Sequence, residues 1–134
     1  MEITFSQAQG RVPVTIMRLK GDFDYMSADA FDREARRAVQ NGATNFLIDL
    51  SEVPFMSSVG LRSIYTLYDL VHPVKSEREQ KAVHMGVTSG TYKAPHLKLL
   101  KPADRVHESM KFVGLDLYVD IFFDEPEALS AFTQ

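Results

Sequence analysis

The stretch FLIDLSEVPFMSSVGLR, residues 46–62, indicates how the chain folds. Residues 46–50 are apolar except for Asp49, a pattern typical of a central strand that is covered on both faces. Ser57 and Ser58 follow at the point where this strand gives way to an amphipathic helix. A hydroxyl at the start of a helix can cap the helix or carry a phosphate, so the local spacing leaves a structural and a regulatory role open for these serines.

The helix that begins near Ser58 has one apolar stripe and one polar face. We expect it to end at His72-Pro73, because the residue before a proline disfavours helical geometry. The stripe has helical spacing and consists of Leu61, Ile64, Leu67, Tyr68 and Val71. The face expected to point outward carries Arg62, Tyr65, Thr66 and Asp69.

The residues before this stretch predict a β-hairpin followed by a helix. Alternating residues indicate a strand around residues 3–5 and a second over 12–20, joined by a turn at 9–11. The second strand has two apolar faces, one with Val14 and Ile16 and the other with Met17 and Leu19. We expect Ser27 to cap the helix and Asn41-Gly42 to end it, with an apolar stripe of Phe31, Ala35, Ala38 and Val39.

The residues after the central helix alternate between strand and helix patterns, apart from one looser segment. We expect strands over 97–100 and 118–123 and helices over 103–113 and 126–132, with inward side chains at Val106, Met110 and Val113. Residues 75–95 predict an inserted excursion of one short helix and a loop, with a capping box at Ser76 and Glu79. Strands that alternate with helices favour parallel crossovers, and 134 residues suit one domain over 1–134, so the predicted class is α/β.

Composition excludes several classes of function. The chain has no cysteine, which removes disulfides, thiol catalysis and thiolate metal sites. Its net charge of -3 argues against a nucleic-acid binder. No apolar run approaches the roughly 20 residues needed to cross a bilayer, and the N-terminus lacks the pattern of a signal peptide. We therefore expect no membrane insertion and a cytoplasmic location.

No motif in the chain predicts catalysis, a cofactor or a metal. The four histidines lack the helical spacing of a metal-binding pair, phosphate-binding glycine loops are missing, and Met56 occupies the place of the first glycine of a hydrolase elbow around Ser58. Asp22 and Asp24 are turn formers more often than paired catalytic carboxylates, and Asp49 suits a hydrogen-bonded carboxylate at a strand end. We interpret five basic residues as a solvated face: Lys93, Lys98, Lys101, Arg105 and Lys111. We interpret four methionines as core filling: Met26, Met56, Met85 and Met110.

Several ordered pieces of the chain resemble the STAS family, which contains the anti-sigma factor antagonists. The pieces are Gly21-Asp22-Phe23-Asp24, residues 47–61, Val113-Gly114-Leu115 and the closing residues 124–129. The resemblance covers about residues 3–73 and resumes over about 96–133. It implies a single α/β domain with a mixed, mainly parallel sheet of about five strands and four or five helices. It also implies partner switching through reversible serine phosphorylation, without catalysis by the domain itself.

The same resemblance indicates a site. Anchored on Met56 and Gly60-Leu61, the family's phosphorylated serine corresponds to Ser58, and Ser57 stands where the family usually has an aspartate. Ser57 is therefore the alternative acceptor, and Asp24 corresponds to an acidic position close to the acceptor. The surface implied for partner binding comprises Asp22, Asp24, Met26, Ser57, Val59, Arg62, Tyr65, Thr66 and Asp69.

The implied partners are an anti-sigma factor or serine kinase of the histidine-kinase-like ATPase type, and a metal-dependent serine phosphatase. Docking is expected when Ser58 is unphosphorylated. The alternative hypothesis is a ligand-sensing or scaffold domain that is never phosphorylated and uses the 75–95 segment as its binding surface.

Overall fold

Five strands form one sheet in the order in which they occur along the chain. The computed structural model describes residues 1–74 and 76–134. The strands are β1 Glu2–Gln9, β2 Pro13–Lys20, β3 Phe46–Glu52, β4 Leu97–Leu100 and β5 Asp120–Phe122. β1 pairs antiparallel with β2 and every later pair is parallel, which confirms the expected α/β class and the mixed, mainly parallel sheet.

Five α-helices accompany the sheet in the described residues, together with a short 3-10 turn at Leu115–Leu117. The helices are α1 Tyr25–Gln40, α2 Ser58–Val71, α3 Glu77–Ser89, α4 Asp104–Val113 and α5 Glu125–Ser130. All of these helices are too short or too polar to cross a bilayer. The predicted hairpin, the end of α1 at Asn41 and the end of α2 at His72 are confirmed.

The two faces of the sheet bury different cores. Met17 and Leu19 of β2 lie in the larger core, with Phe46 and Ile48 of β3, and α1, α2 and α4 pack against this face. The opposite face has a smaller core, formed by Val14, Ile16, Leu47, Leu100, Ala128 and Phe132. The alternation predicted for β2 and the central position of β3 are therefore confirmed, because a strand covered on both sides can expose neither set of side chains.

The cap of α1 differs from the prediction. Asp24, not Ser27, precedes the helix, and its Oδ1 accepts a hydrogen bond from the Met26 backbone N–H at 3.0 Å. The Ser27 hydroxyl oxygen accepts from the Asp24 backbone N–H at 2.9 Å, one turn into the helix. The two side chains form a reciprocal capping box, so Ser27 completes the cap that Asp24 begins.

The segment after α2 is more helical than expected. The expected short helix has thirteen residues, and the predicted cap is present because the Ser76 hydroxyl accepts from the Glu79 backbone N–H at 3.1 Å. Gly90 ends α3 in the left-handed conformation. α3 buries no residue completely, and the segment's first residue, Lys75, lies outside the described residues.

Several expected boundaries and burial states near the C-terminus are wrong. Val113 was expected inward but is 46% exposed, because α4 ends there as Gly114 turns the chain away. β5 begins at Asp120, since Tyr118 closes the preceding 3-10 turn, and α5 starts at Glu125 and ends at Ser130.

Three side chains have burial opposite to that expected. Lys98 was assigned to a solvated face but is only 4% exposed, with its Nζ 3.8 Å from Asp120 and 5.1 Å from the centre of the Phe132 ring. It is buried because it lies on the same face of β4 as Leu100, where the C-terminal residues around Phe132 cover the sheet. Met26 and Met85, assigned to the core, are 76% and 66% exposed because each lies on the outer side of its helix.

His72 and His96, distant in the sequence, pack together where α2 ends beside the start of β4. Their ring centres are 5.4 Å apart. The His72 Nδ1–H donates to the Tyr68 carbonyl at 2.9 Å, and its Nε2 accepts from the His96 backbone N–H at 3.1 Å. Both ring nitrogens are thus used by the neutral form, and burial lowers the pKa of His72 to about 4.

We expect this contact to make the protein less stable in mild acid. The unfolded chain binds a proton at His72 near pH 6.5, whereas the folded chain binds it only near pH 4, so the free energy of unfolding falls as pH drops through that range. Because the ring is partly exposed, we expect a loss of about 1–2 kcal/mol rather than the full linkage value. Urea denaturation between pH 7 and 4 measures it.

His72→Gln removes the titrating ring and should flatten this pH profile, although burial also lowers the pKa of His96, which leaves part of the slope. His107→Gln on α4 is the control and should keep the full slope. Parallel profiles for the native chain and His72→Gln would contradict the assignment.

Candidate functional site

Two loops meet at the carboxyl ends of β2 and β3. The Phe23 backbone N–H donates to the Phe55 carbonyl, and the Phe23 carbonyl accepts from the Ser57 N–H, each at 2.9 Å. These two bonds form an isolated parallel bridge between Phe23 and Met56. Residues 21–24 therefore run beside residues 55–58, which places Asp24 next to the two serines along the backbone.

Gly60 lets the start of α2 approach this bridge. A Cβ atom at position 60 would lie 2.5 Å from the Phe23 carbonyl oxygen and 3.0 Å from the Met56 side chain. Real Cβ atoms do not come so close to a backbone oxygen, so α2 can pack here only with glycine at this position.

The structure separates the roles of the two serines. Ser57 is the N-cap of α2: its backbone is extended, and its hydroxyl accepts from the Gly60 N–H at 3.3 Å. Ser58 is the first helical residue and is exposed. Its hydroxyl makes no hydrogen bond with any residue among 1–74 and 76–134. The structural role thus belongs to Ser57, and the Ser58 hydroxyl is available for chemistry.

The surroundings of Ser58 suit an anion. The first turn of α2 contains no acidic residue, and the backbone N–H groups of Ser58 and Val59 have no acceptor among the described residues. Free N–H groups and the positive end of the helix dipole stabilise negative charge at a helix start. A phosphate on Ser58 could therefore be accommodated without unfolding α2.

The residues expected to bind a partner fall into two groups. Asp22, Met26, Arg62 and Asp69 are exposed, while Val59 and Thr66 are half-buried, and the Thr66 hydroxyl donates to the Arg62 carbonyl at 3.0 Å. Tyr65 is not directed outward as expected. Its ring packs edge-on against Tyr118 at 6.4 Å, and its hydroxyl donates to the Val113 carbonyl at 3.4 Å. Burial raises the pKa of Tyr65.

The structure adds apolar side chains that the sequence analysis missed. Tyr25, beside Met26, is 72% exposed, and Phe55 in the other loop is 44% exposed. Phe112 on α4 is 92% exposed and borders a shallow groove with Pro54 and Phe55. The signal in the sequence was an aromatic residue beside Met26 and another between Pro54 and Met56, but its exposure depends on how the two loops pair.

Asp49 has a structural role on the other side of the sheet. Its Oδ1 accepts from the Ser51 N–H at 3.0 Å, and its Oδ2 accepts from Arg18 at 2.7 Å; Arg18 also donates to Glu125 at 2.8 Å. Burial alone would raise the pKa of Asp49, but these hydrogen bonds outweigh it and the pKa lies below its usual value. The expected hydrogen bonding of Asp49 is confirmed, but Asp49 lies in the middle of β3 rather than at its end, because the strand continues to Glu52.

Metal ligation has no cluster of side chains to support it in the described part of the chain. Nowhere in residues 1–74 and 76–134 do three His, Asp or Glu side chains stand close enough together to hold a metal ion. His72 and His96 do pack together, but both His72 ring nitrogens are already hydrogen-bonded.

The chain is thus an α/β domain with a mixed five-stranded sheet, in which α2 starts where the loops after β2 and β3 meet. The family model of the STAS domain matches residues 6–77, more than half of the chain. The chain belongs to the STAS domain family.

Solved structures share the fold at low sequence identity. A Thermotoga maritima protein with a provisional assignment as an anti-sigma factor antagonist is 16% identical, with a TM-score of 0.74 over 98% of this chain and 95% of that one. An anti-sigma factor antagonist from Mycobacterium paratuberculosis is 20% identical, with a TM-score of 0.69 over 99% and 96%. The Bacillus cell fate determinant SpoIIAA in its phosphorylated form is 19% identical, with a TM-score of 0.58 over 95% and 96%. No curated protein sequence matches the chain at a significant level.

We expect Ser57→Ala to lower the free energy of unfolding by about 0.5–2 kcal/mol, because it leaves the Gly60 N–H without its side-chain acceptor. Ser58→Ala should change the free energy by less than about 0.5 kcal/mol, since the Ser58 hydroxyl is exposed and unbonded. Urea denaturation of both variants measures the difference. Equal effects would contradict the separation of roles.

We expect Gly60→Ala to lower the free energy of unfolding by about 1–3 kcal/mol, because the new methyl group overlaps the Phe23 carbonyl. Ala has the better helix propensity, so a gain in stability would show that α2 does not pack against the bridge as described. Thermal denaturation beside Ser58→Ala, which adds no atom, provides the comparison.

Proposed function

We propose that this protein is a partner-switching regulator of the anti-sigma factor antagonist type, controlled by phosphorylation of Ser58. The observation that carries the proposal is the free, exposed Ser58 hydroxyl at the start of α2, beside a Ser57 hydroxyl that is already engaged as the cap. Membership of the STAS family and the shared fold of anti-sigma factor antagonists support it. The fold is also that of SpoIIAA, whose structure is known in a phosphorylated form.

The choice of Ser58 over Ser57 follows from hydrogen bonding. A phosphate on Ser57 would take the hydroxyl oxygen that accepts from the Gly60 N–H and would disturb the start of α2. A phosphate on Ser58 leaves that cap intact and lies near the unbonded N–H groups of the first turn. Ser57 also keeps the capping ability of the aspartate that the family usually has there, because serine and aspartate are both favoured caps.

The proposed docking surface surrounds the acceptor. Polar contacts come from Asp22, Asp24, Arg62 and Asp69, and apolar contacts from Met26 and its exposed neighbours Tyr25 and Phe55. Exposed aromatic and methionine side chains are typical anchors of protein interfaces. Tyr65 packs against Tyr118 and is not proposed to contact the partner directly.

Phosphorylation would act on this surface through charge. A phosphate adds about -1.5 to -2 charges, which a partner can bury only at the expense of desolvation and, where the partner surface is acidic, of repulsion. Each 1.4 kcal/mol lost in this way weakens binding about tenfold. The switch therefore needs no change in the fold of the domain.

The proposed partners are an anti-sigma factor or serine kinase of the histidine-kinase-like ATPase type, which binds the unphosphorylated form, and a metal-dependent serine phosphatase, which restores it. The domain itself is proposed to act in the cytoplasm without catalysis, cofactor, membrane insertion or nucleic-acid binding. Its effect on transcription would be indirect, through competition for the anti-sigma factor.

We expect Ser58→Glu to weaken binding to an anti-sigma factor kinase from the same genome by at least about tenfold relative to Ser58→Ala, because the added charge must be desolvated at the interface. Isothermal titration calorimetry measures both affinities. Ser130→Glu on α5 is the control for charge alone and should bind as the native chain does.

The same kinase should phosphorylate the native chain and Ser57→Ala but not Ser58→Ala, as read by mass spectrometry of tryptic peptides. Equal binding by Ser58→Ala and Ser58→Glu would rule out the charge switch. Phosphate found on Ser57 alone would show that Ser57, not Ser58, is the phosphate acceptor.

A further inference from the structure

A cleft separates α3 from the body of the domain at the far end of α2 from Ser58. Its volume is about 570 Å³, within the range of roughly 300–1,000 Å³ typical of sites for small molecules. The walls come from the end of α2, the inner side of α3 and the residues just before β4. The cleft is therefore open on one side and lined by parts of the chain that are distant in sequence.

One wall is aromatic and rigid. The Tyr68 ring stacks on His72 at 4.6 Å, and His72 lies against His96 at 5.4 Å. Both ring nitrogens of His72 are hydrogen-bonded to backbone groups, so this ring offers a flat face rather than a donor or acceptor. The wall suits the face of an aromatic or apolar group.

The position of α3 over this wall is fixed by a close backbone contact. The Gly86 carbonyl accepts from the Tyr92 N–H at 3.0 Å, and a Cβ atom at Gly86 would lie 2.8 Å from the Tyr92 Cβ. The half-buried Val83, one turn earlier on α3, faces the cleft. α3 is thus held at the Gly86 end and leaves space under its first turns.

Several polar groups in the cleft have unused bonding capacity. The hydroxyls of Tyr68 and Tyr92 lie 2.7 Å apart, and the oxygen of the one that donates in this bond keeps lone pairs that can accept from a further donor. His96 donates from Nδ1 to the Asn45 side-chain oxygen at 2.8 Å, which leaves its Nε2 as an acceptor without a donor in residues 1–74 and 76–134. Tyr68, Tyr92 and His96 are half-buried and line the cleft, so a ligand that donates hydrogen bonds could engage these acceptors.

Among the described residues the lining contains one carboxylate side chain, while burial and the nearby charge of Lys98 lower the pKa of His96. Glu79, in the first turn of α3, is part of the lining and lies close enough to Tyr92 to add to the effect of burial in raising the pKa of that hydroxyl. None of the described lining residues is a lysine or an arginine. An ammonium group fits a carboxylate, an imidazole acceptor and aromatic faces together.

We propose that this cleft binds a small organic amine with an aromatic or apolar body. The body packs on the Tyr68–His72 wall and under Val83, and the ammonium group lies between Glu79 and the acceptors of Tyr92 and His96. The 75–95 segment would then be a ligand-sensing element, as the alternative hypothesis for that segment suggested. The site does not depend on phosphorylation, because Ser58 lies ten residues, about 15 Å, from Tyr68 along α2.

Titration calorimetry and amide NMR with tryptamine and 2-phenylethylamine test the site, with indole-3-propionate and 3-phenylpropionate as probes of matched shape and opposite charge. We expect saturable binding of the amines, with chemical shift changes confined to residues around the cleft, and binding of the acids at least about tenfold weaker. Ser58→Glu should bind the amines as the native chain does, so failure of the phosphorylation proposal and failure of this one are distinguishable.

Two variants locate the binding. Glu79→Gln should weaken amine binding about tenfold, because it removes the charge that pairs with the ammonium group. Glu77→Gln on the same helix turn lies outside the cleft and should have no effect. Val83→Trp should fill the cleft and abolish binding while the amide spectrum stays dispersed. Absence of saturable amine binding, equal affinity for the acids, or equal binding by Glu79→Gln and Glu77→Gln would each overturn the proposal.

Discussion

The backbone bridge at Phe23 holds together the end of the domain that carries the candidate site. Its two hydrogen bonds join the loop after β2 to the loop after β3, and so fix Asp24 and the two serines relative to each other. Gly60 is the condition for this arrangement, since any side chain there would push α2 away from the Phe23 carbonyl. The extended backbone of Ser57, which makes it a cap, follows from the same bridge, because its N–H is committed to Phe23 before the helix begins.

The parts of the fold that could be predicted from sequence are those set by short-range periodicity. The burial of β2 and β3 follows directly from their sequences. Side chains alternate between the two faces of a strand, and a central strand is buried on both faces, as in the two apolar faces of β2 and the almost wholly apolar β3. Lys98 shows the limit. Its charge predicted a side chain exposed to solvent, but the side chain is buried. The carboxylate of Asp120 and the ring of Phe132 lie close to the buried ammonium group.

The start of α2 was predictable to within a residue. Adjacent serines at a strand-to-helix junction indicate a helix start. Which of the two caps the helix depends on backbone angles that a tertiary contact imposes. Likewise, nothing in the spacing of His72 and His96 predicts their contact, because it is created by the crossover from β3 to β4. Exposure of Met26 and Phe55 also depends on which loops pair, and methionine serves both to fill cores and to make contacts on binding surfaces.

The serine at position 57 changes the electrostatics of the site more than its stability. Serine and aspartate cap a helix about equally well, so the start of α2 is retained while one negative charge beside Ser58 is removed. Two unit charges at about 5 Å in a solvated setting interact by roughly 1 kcal/mol, and a phosphate carries nearly two. A phosphate on Ser58 would therefore meet less repulsion here than beside an aspartate, and the exposed Asp22 and half-buried Asp24 across the bridge become the nearest acidic side chains of the paired loop. In this chain the contrast between the two states of the switch would come from the phosphate itself rather than from a pre-existing negative patch.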